Sequence, residues 1–209
     1  MHTAIFSVYT LVGLTAQLLF TSRMLVQWVL SERARSVVNP SLFWWLSLFA
    51  SLLMSFYGYL RQDLAILLGQ FLSYYTYVVN LKLKGKLRRL PLILTLALIV
   101  APVALLVSEM WDTQAFAAIF LNDAHIPYAL LALGFAGQLL FTLRFVVQTY
   151  ISWRLKESVL PAAFWWLSLT ACLAVLAYGC LRLDVVLILG QAAGLVTYVR
   201  NLMLLRKNS

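Results

Sequence analysis

The chain has 209 residues, of which 63% are hydrophobic and 11% charged. A soluble domain carries about 25% charged residues, so this composition excludes a water-facing surface over most of the molecule and implies an integral membrane protein. The formal net charge of +9 would suggest nucleic acid in a soluble protein; here the placement of the charges along the chain reads instead as a topology signal, with no nucleic-acid partner.

A membrane-spanning helix needs about 20 mostly apolar residues. Seven segments meet that requirement, near 6–30, 40–60, 64–83, 90–111, 127–151, 161–181 and 184–205. The opening Met1-His2-Thr3 lacks the basic stretch of a secretory signal, so the first apolar segment is expected to stay in the mature protein. Pro40 and Pro161 each follow a polar loop and open the next segment. Proline suits a first helical turn, whose N–H has no helical acceptor; the same pair would also serve as hinges. The fourth segment carries Pro91 and Pro102 and resembles none of the others. Cys172 and Cys180 lie in an apolar run and read as small buried hydrophobes rather than a disulfide.

The first three segments return as the last three, displaced by 121 residues. Gln17, Arg23, Gln27 and Pro40 recur as Gln138, Arg144, Gln148 and Pro161. The run Phe43-Trp44-Trp45-Leu46-Ser47-Leu48 recurs as Phe164-Trp165-Trp166-Leu167-Ser168-Leu169. Arg61, Asp63, Gln70, Tyr77 and Asn80 recur as Arg182, Asp184, Gln191, Tyr198 and Asn201. A fixed-period repeat declares architecture. Here the unit is half a protein: residues 1–85 form one three-helix repeat, 86–125 a linker helix with its loops, and 126–209 the second repeat. Three crossings alone would invert the second copy. The extra helix restores its direction, so two parallel bundles related by an axis along the membrane normal are expected, in a 3+1+3 all-α arrangement.

Charge supports that count. One side receives Arg33, Arg35, Lys82, Lys84, Lys86, Arg88, Arg89, Arg154, Lys156, Arg206 and Lys207. The other receives Arg61 and Arg182, each two residues before an aspartate, with Glu109, Asp112 and Asp123. The basic side is cytoplasmic, which puts the N-terminus outside and the C-terminus inside. The basic loop 82–89 either marks topology or holds anionic lipid.

Arg23 and Arg144 lie roughly 10 Å inside their segments at 1.5 Å per residue. An arginine at such depth costs at least about 2.5–3.5 kcal/mol on insertion scales and normally faces a cavity or a partner. No carboxylate shares their depth. Three readings stay open: an anionic ligand, whose phosphate oxygens suit the guanidinium fork; snorkelling to the headgroups; or a structural clamp between helices. Gln27 and Gln148 share their helical face, while Gln17 and Gln138 lie on another. Gln70, Gln191, Tyr77, Tyr198, Asn80 and Asn201 either hydrogen-bond between helices or line a path. One tryptophan of each pair belongs to an interfacial belt; the other, assigned to Trp45 and Trp166, would stack on a sugar or cap a cavity. Arg61–Asp63 and Arg182–Asp184 read as ion pairs at the outer surface. Gly69 and Gly190 are expected to permit close helix approach. There is no metal-ligand spacing, phosphate loop or nucleophile elbow, so neither catalysis, metal nor cofactor is expected.

The pattern Gln17-x-x-Phe20-x-x-Arg23-x-x-x-Gln27-Trp28-x-x-Ser31-Glu32, then Ser36-x-x-x-Pro40-x-x-Phe43-Trp44, with Tyr57, Arg61-x-Asp63, Gly69-Gln70 and Tyr77-x-x-Asn80, closely resembles the lipid-A-disaccharide synthase N-terminal domain. Both repeats carry it. The second departs at Thr149 and Trp153, where the first has Trp28 and Glu32, and has Arg200 where the first has Val79. The module is also similar to the three-helix unit of the PQ-loop, MtN3 and SWEET group. That group has Pro-Gln where this chain has Pro40-Ser41 and Pro161-Ala162. The resemblance implies a SWEET-like protein of the bacterial inner membrane engaged in envelope lipid or sugar assembly. The synthase's soluble glycosyltransferase domain is not in this sequence, so a non-enzymatic role is implied. Such modules accompany glycosyltransferases that act on polyprenyl-phosphate sugars and on lipid A.

These readings converge on a transporter or flippase of a phosphate-bearing lipid or lipid-linked sugar, held at Arg23 and Arg144. The expected partners are membrane lipids, with an anionic phospholipid or polyprenyl-phosphate sugar as ligand. Two alternatives are a facilitator of a small neutral sugar, which would need both arginines turned to the cytoplasm, and a non-transporting scaffold that docks a glycosyltransferase through its basic loops.

Overall fold

The computed structural model describes residues 8–60, 64–110, 127–183 and 185–207. All secondary structure among them is helical: α1 (Val8–Ala34), α2 (Ser41–Leu60), α3 (Leu64–Leu83), a 3-10 turn (Leu87–Arg89), α4 (Leu92–Met110), α5 (Tyr128–Leu155), α6 (Ala162–Arg182) and α7 (Val185–Lys207). Each of the seven predicted segments is a helix. Three of them, α2, α5 and α6, are long and apolar enough to cross a membrane. The main departure in boundaries is that α1 and α5 run about four residues further than apolarity predicts. A helix continues past its hydrophobic stretch until something stops it, and here a specific device does.

That device is repeated. Arg35 adopts a left-handed conformation (φ 51°), as does Lys156 (φ 53°). Behind each, two backbone N–H groups turn back onto the last helical carbonyls: Arg35 to Glu32 and Ser36 to Ser31, then Lys156 to Trp153 and Glu157 to Ser152. This satisfies carbonyls that the helix end would otherwise orphan, and a basic residue there also suits the negative end of the helix dipole. Gly85 (φ 68°) ends α3 in the same way. Pro40 and Pro161 stand just before α2 and α6, where their carbonyls accept the N–H of Phe43 and Phe164.

The residues divide into two compact units. One comprises α1 as far as Leu25 together with α2, α3 and α4. The other comprises Val26–Asn39 together with α5, α6 and α7.

Helix α4 belongs to the first unit through a particular contact. Pro102 sits inside it and has no N–H to give to the carbonyl four residues back, that of Leu98. The fully buried Tyr74 of α3 donates its hydroxyl to that carbonyl at 2.7 Å, and Tyr75 donates to the next, Ile99, also at 2.7 Å. The helix expected as a linker is therefore fastened to α3 where its own ladder is broken.

Close approach occurs where α1 meets α2 and where α5 meets α6. A Cβ built on Gly13 would stand 3.0 Å from the Tyr57 ring, and one on Gly134 would stand 3.0 Å from the Tyr178 ring. Gly69, predicted to serve this purpose, has nothing within 4 Å of its Cβ position. The crowding falls on α1 and α5 because a tyrosine ring lies across their backbones. Cys172 is buried, whereas Cys180 faces outward, and both are free thiols.

Candidate functional site

Arg23 projects from α1 into the first unit and is 8% exposed; Arg144 projects from α5 into the second and is also 8% exposed. Arg23 Nη1 donates to Ser47 Oγ of α2 and to Tyr77 Oη of α3, both at 2.9 Å. Arg144 Nη1 donates to Ser168 Oγ of α6 and Tyr198 Oη of α7, both at 3.1 Å. Each guanidinium thus joins the three helices of its own module.

The serines are oriented for this role. Ser47 gives its proton to the Phe43 carbonyl at 2.5 Å and Ser168 to the Phe164 carbonyl at 2.6 Å. Their lone pairs are then left to accept from arginine. Aromatic faces supply further electrostatic compensation. Arg23 Cζ lies 4.7, 5.3 and 5.5 Å from the ring centroids of Phe20, Phe43 and Tyr77. Arg144 Cζ lies 4.6, 4.7, 5.4 and 5.8 Å from Phe141, Phe145, Phe164 and Tyr198. Such contacts contribute roughly 0.5–2 kcal/mol each, more where water is excluded.

None of these partners carries a charge. Among the described residues the one salt bridge joins Arg200 to Glu32, so neither Arg23 nor Arg144 has a carboxylate within 4 Å. Nε of both arginines is buried without a hydrogen-bond partner. Burying an ion costs several kcal/mol even after relaxation, and neutral hydroxyls and rings offset only part of that.

Gln27 and Gln148, one turn further along, are fully buried, and their amide protons are committed. Gln27 Nε2 reaches Ser31 Oγ (2.9 Å) and the Val38 carbonyl (3.4 Å), and Gln148 Nε2 reaches Ser152 Oγ (2.8 Å) and the Val159 carbonyl (2.7 Å). Both serines also accept from the loop backbone, Ser31 from Val38 N–H and Ser152 from Val159 N–H. These glutamines pin the loop after each helix back onto its last turns. Gln27 makes a second contact, a reciprocal amide pair with Asn201 of α7 (2.8 and 3.2 Å). Asn201 and Asn80 also bond their own helices, through the Thr197 and Thr76 carbonyls.

Of each tryptophan pair, the member against the arginine cluster is the first. Trp44 and Trp165 are 0% and 1% exposed and pack on Tyr77 and Tyr198, with centroids 6.1 and 6.4 Å apart. Trp45 is half-buried against Phe49 and Trp166 is 57% exposed. Gln17 and Gln138 face outward. Gln70 accepts from Ser51 at 3.0 Å, binding α3 to α2; at the matching position Cys172 Sγ contacts the Gln191 carbonyl. Arg61, Asp63 and Asp184 lie outside the described residues, as does the side chain of Arg182, so both proposed ion pairs do too.

Sequence reasoning passed over Phe20, Phe43, Ser47 and Trp44 and their counterparts Phe141, Phe164, Ser168 and Trp165. A signal was present. Phe20 is three residues from Arg23, and Phe43, Trp44 and Ser47 occupy one face of α2 at helical spacing.

Fold and site together define an all-helical protein of membrane type, built from two copies of one three-helix module with a guanidinium inside each. The chain belongs to the family described as Lipid A Biosynthesis N-terminal domain, which residues 12–82 and 133–203 each match. The two matched stretches are offset by the same 121 residues as the repeat. Among similar proteins are the lipid-A-disaccharide synthases of Chlamydia felis (27% identical over 208 residues, 95% of this chain and 33% of that protein) and Chlamydia trachomatis serovar D (30% over 200 residues, 91% and 33%). The corresponding synthase of Chlamydia caviae is 29% identical over 209 residues, again 95% and 33%. The chain thus spans about a third of the length of these curated relatives. No solved structure matches it.

Proposed function

We propose that this protein is an inner-membrane carrier that moves a phosphate-bearing lipid or lipid-linked sugar for lipid A assembly or modification. Seven spans, SWEET-like in order, would place the basic loops and the C-terminus in the cytoplasm. The observation that carries the reading is the pair of equivalent buried guanidiniums, each held by neutral partners. A permanent internal charge without a carboxylate suits a ligand that brings the negative charge with it. Family membership supports lipid A chemistry as the setting. The neutral-sugar alternative needs both guanidiniums turned out to the cytoplasm, and their bonds to Ser47, Tyr77, Ser168 and Tyr198 weigh against it.

The test is transport in proteoliposomes carrying a fluorescent polyprenyl-phosphate sugar. Arg23→Ala with Arg144→Ala should abolish movement while leaving expression intact. Full transport by that double variant removes the proposal.

A second reading is favoured by the length of the relatives. They bear the name of a synthase and are about three times as long as this chain, so the module also suits a membrane scaffold for a glycosyltransferase. Protein that moves no lipid in vesicles, yet co-purifies with such an enzyme, would establish the scaffold instead.

A further inference from the structure

The arginines are only half used. In each, the hydrogen bonds leave from Nη1, and Nε has no partner. Among the described residues Nη2 makes no hydrogen bond either. Nε–H and Nη2–H point the same way along one edge of the guanidinium plane. That edge is one of the two that bind a pair of oxygens on a single phosphate or carboxylate. The serine and tyrosine hydroxyls hold the opposite end and so fix the plane. Both arginines are more than nine-tenths buried, and Nε is the atom shut away without a partner, which makes that idle charged donor costly.

We propose that each three-helix module is a complete phosphoryl-binding site, taking two oxygens of one phosphate on the Nε–Nη2 edge of its own arginine, so that one chain binds two phosphate groups. This rests on the reading above that the modules handle a phosphate-bearing lipid. Every contact of the first site comes from α1, α2 and α3, and every contact of the second from α5, α6 and α7. Among the described residues each arginine's partners lie within its own module, so each module is read as a site by itself.

Lysine separates this from a requirement for charge alone. It keeps the cation and can still reach a hydroxyl, but it has no pair of parallel N–H groups. Native mass spectrometry of the full chain in detergent, titrated with phosphatidic acid, should show two bound lipids at saturation. Arg23→Lys or Arg144→Lys should leave one, with affinity at the altered module weakened about tenfold or more, and the double variant none. If a lysine variant does not accumulate, Tyr77→Phe or Tyr198→Phe takes its place, since each frees the plane to turn and should weaken one site of the two. Inorganic phosphate that displaces the lipid supports the same site with a free ion as its source. Oleate bound as tightly as phosphatidic acid overturns the phosphoryl assignment. A wild-type stoichiometry of one or none, or two lipids retained by both single lysine variants, overturns the two-site inference. Two lipids bound without transport sinks only the carrier, whereas transport with one lipid bound sinks only the second site.

Discussion

Glu32 and Arg200 pair with each other through both guanidinium and carboxylate edges, Nε to Oε1 and Nη2 to Oε2, the latter at 2.8 Å. Each breaks the internal repeat: Glu32 corresponds to Trp153, and Arg200 to Val79. Two departures that look unrelated in the sequence are therefore one interaction, present once, between the end of α1 and α7. It lies beside the Gln27–Asn201 amide pair and adds to the attachment of Val26–Asn39 to α5–α7, which Asn39 also joins through Ser158 (2.6 Å to its carbonyl).

The ion pair is about 40% exposed on both sides, so its worth is modest. Glu32→Gln and Arg200→Gln should each lower thermal stability slightly. The double variant should lose little more than either one, because each single change already removes the interaction. Additive losses in detergent melting curves would show that the pair is incidental.

Its pH dependence has a definite sign. The hydrogen bond from Arg200, with its charge, holds the Glu32 carboxyl below the usual carboxylate range. A depressed carboxylate contributes stability above its unfolded value, near 4.3, and loses that contribution as pH falls through the folded value. The melting-temperature gap between wild type and Glu32→Gln should therefore be constant above about pH 6 and close below about pH 4. A gap that widens on acidification would contradict the pairing.

Tyr74→Phe removes the hydroxyl that satisfies the Leu98 carbonyl opposite Pro102. A buried acceptor left alone costs about 1–3 kcal/mol. Adding Pro102→Ala restores a backbone N–H for that carbonyl, so the double variant should recover much of the loss. Equal melting temperatures for the single and double variants would show that the proline is not the reason for the bond.

Glycines supply a matched contrast. Gly137→Ala would bring a Cβ to 2.6 Å from Val175 Cγ2 and 3.2 Å from its backbone nitrogen, an overpacking that costs typically about 1–3 kcal/mol. Gly69→Ala meets nothing within 4 Å and should be neutral, or stabilising by up to about 1 kcal/mol through helix propensity. Denaturation of the two variants side by side checks the order.

The repeat, the seven helical segments and the arginine pair were all legible in the chain. Apolarity over about 20 residues, a fixed offset and a charge at depth are properties of the residues themselves. What each polar side chain does with its hydrogen bonds was not legible, because partners come from other helices. Gln27 shares a helical face with Arg23, yet it spends its amide on a loop and on Asn201. Trp44, not Trp45, lies against Tyr77, since Trp44 lies on the face of α2 that also buries Phe43 and Ser47, and Trp45, about 100° further round, falls beyond its edge. Only tertiary packing decided that Arg23 and Arg144 turn into their own bundles, because both snorkelling and burial satisfy the same sequence. The hydroxyls of Ser47, Tyr77, Ser168 and Tyr198, brought together from separate helices, tip that balance inward.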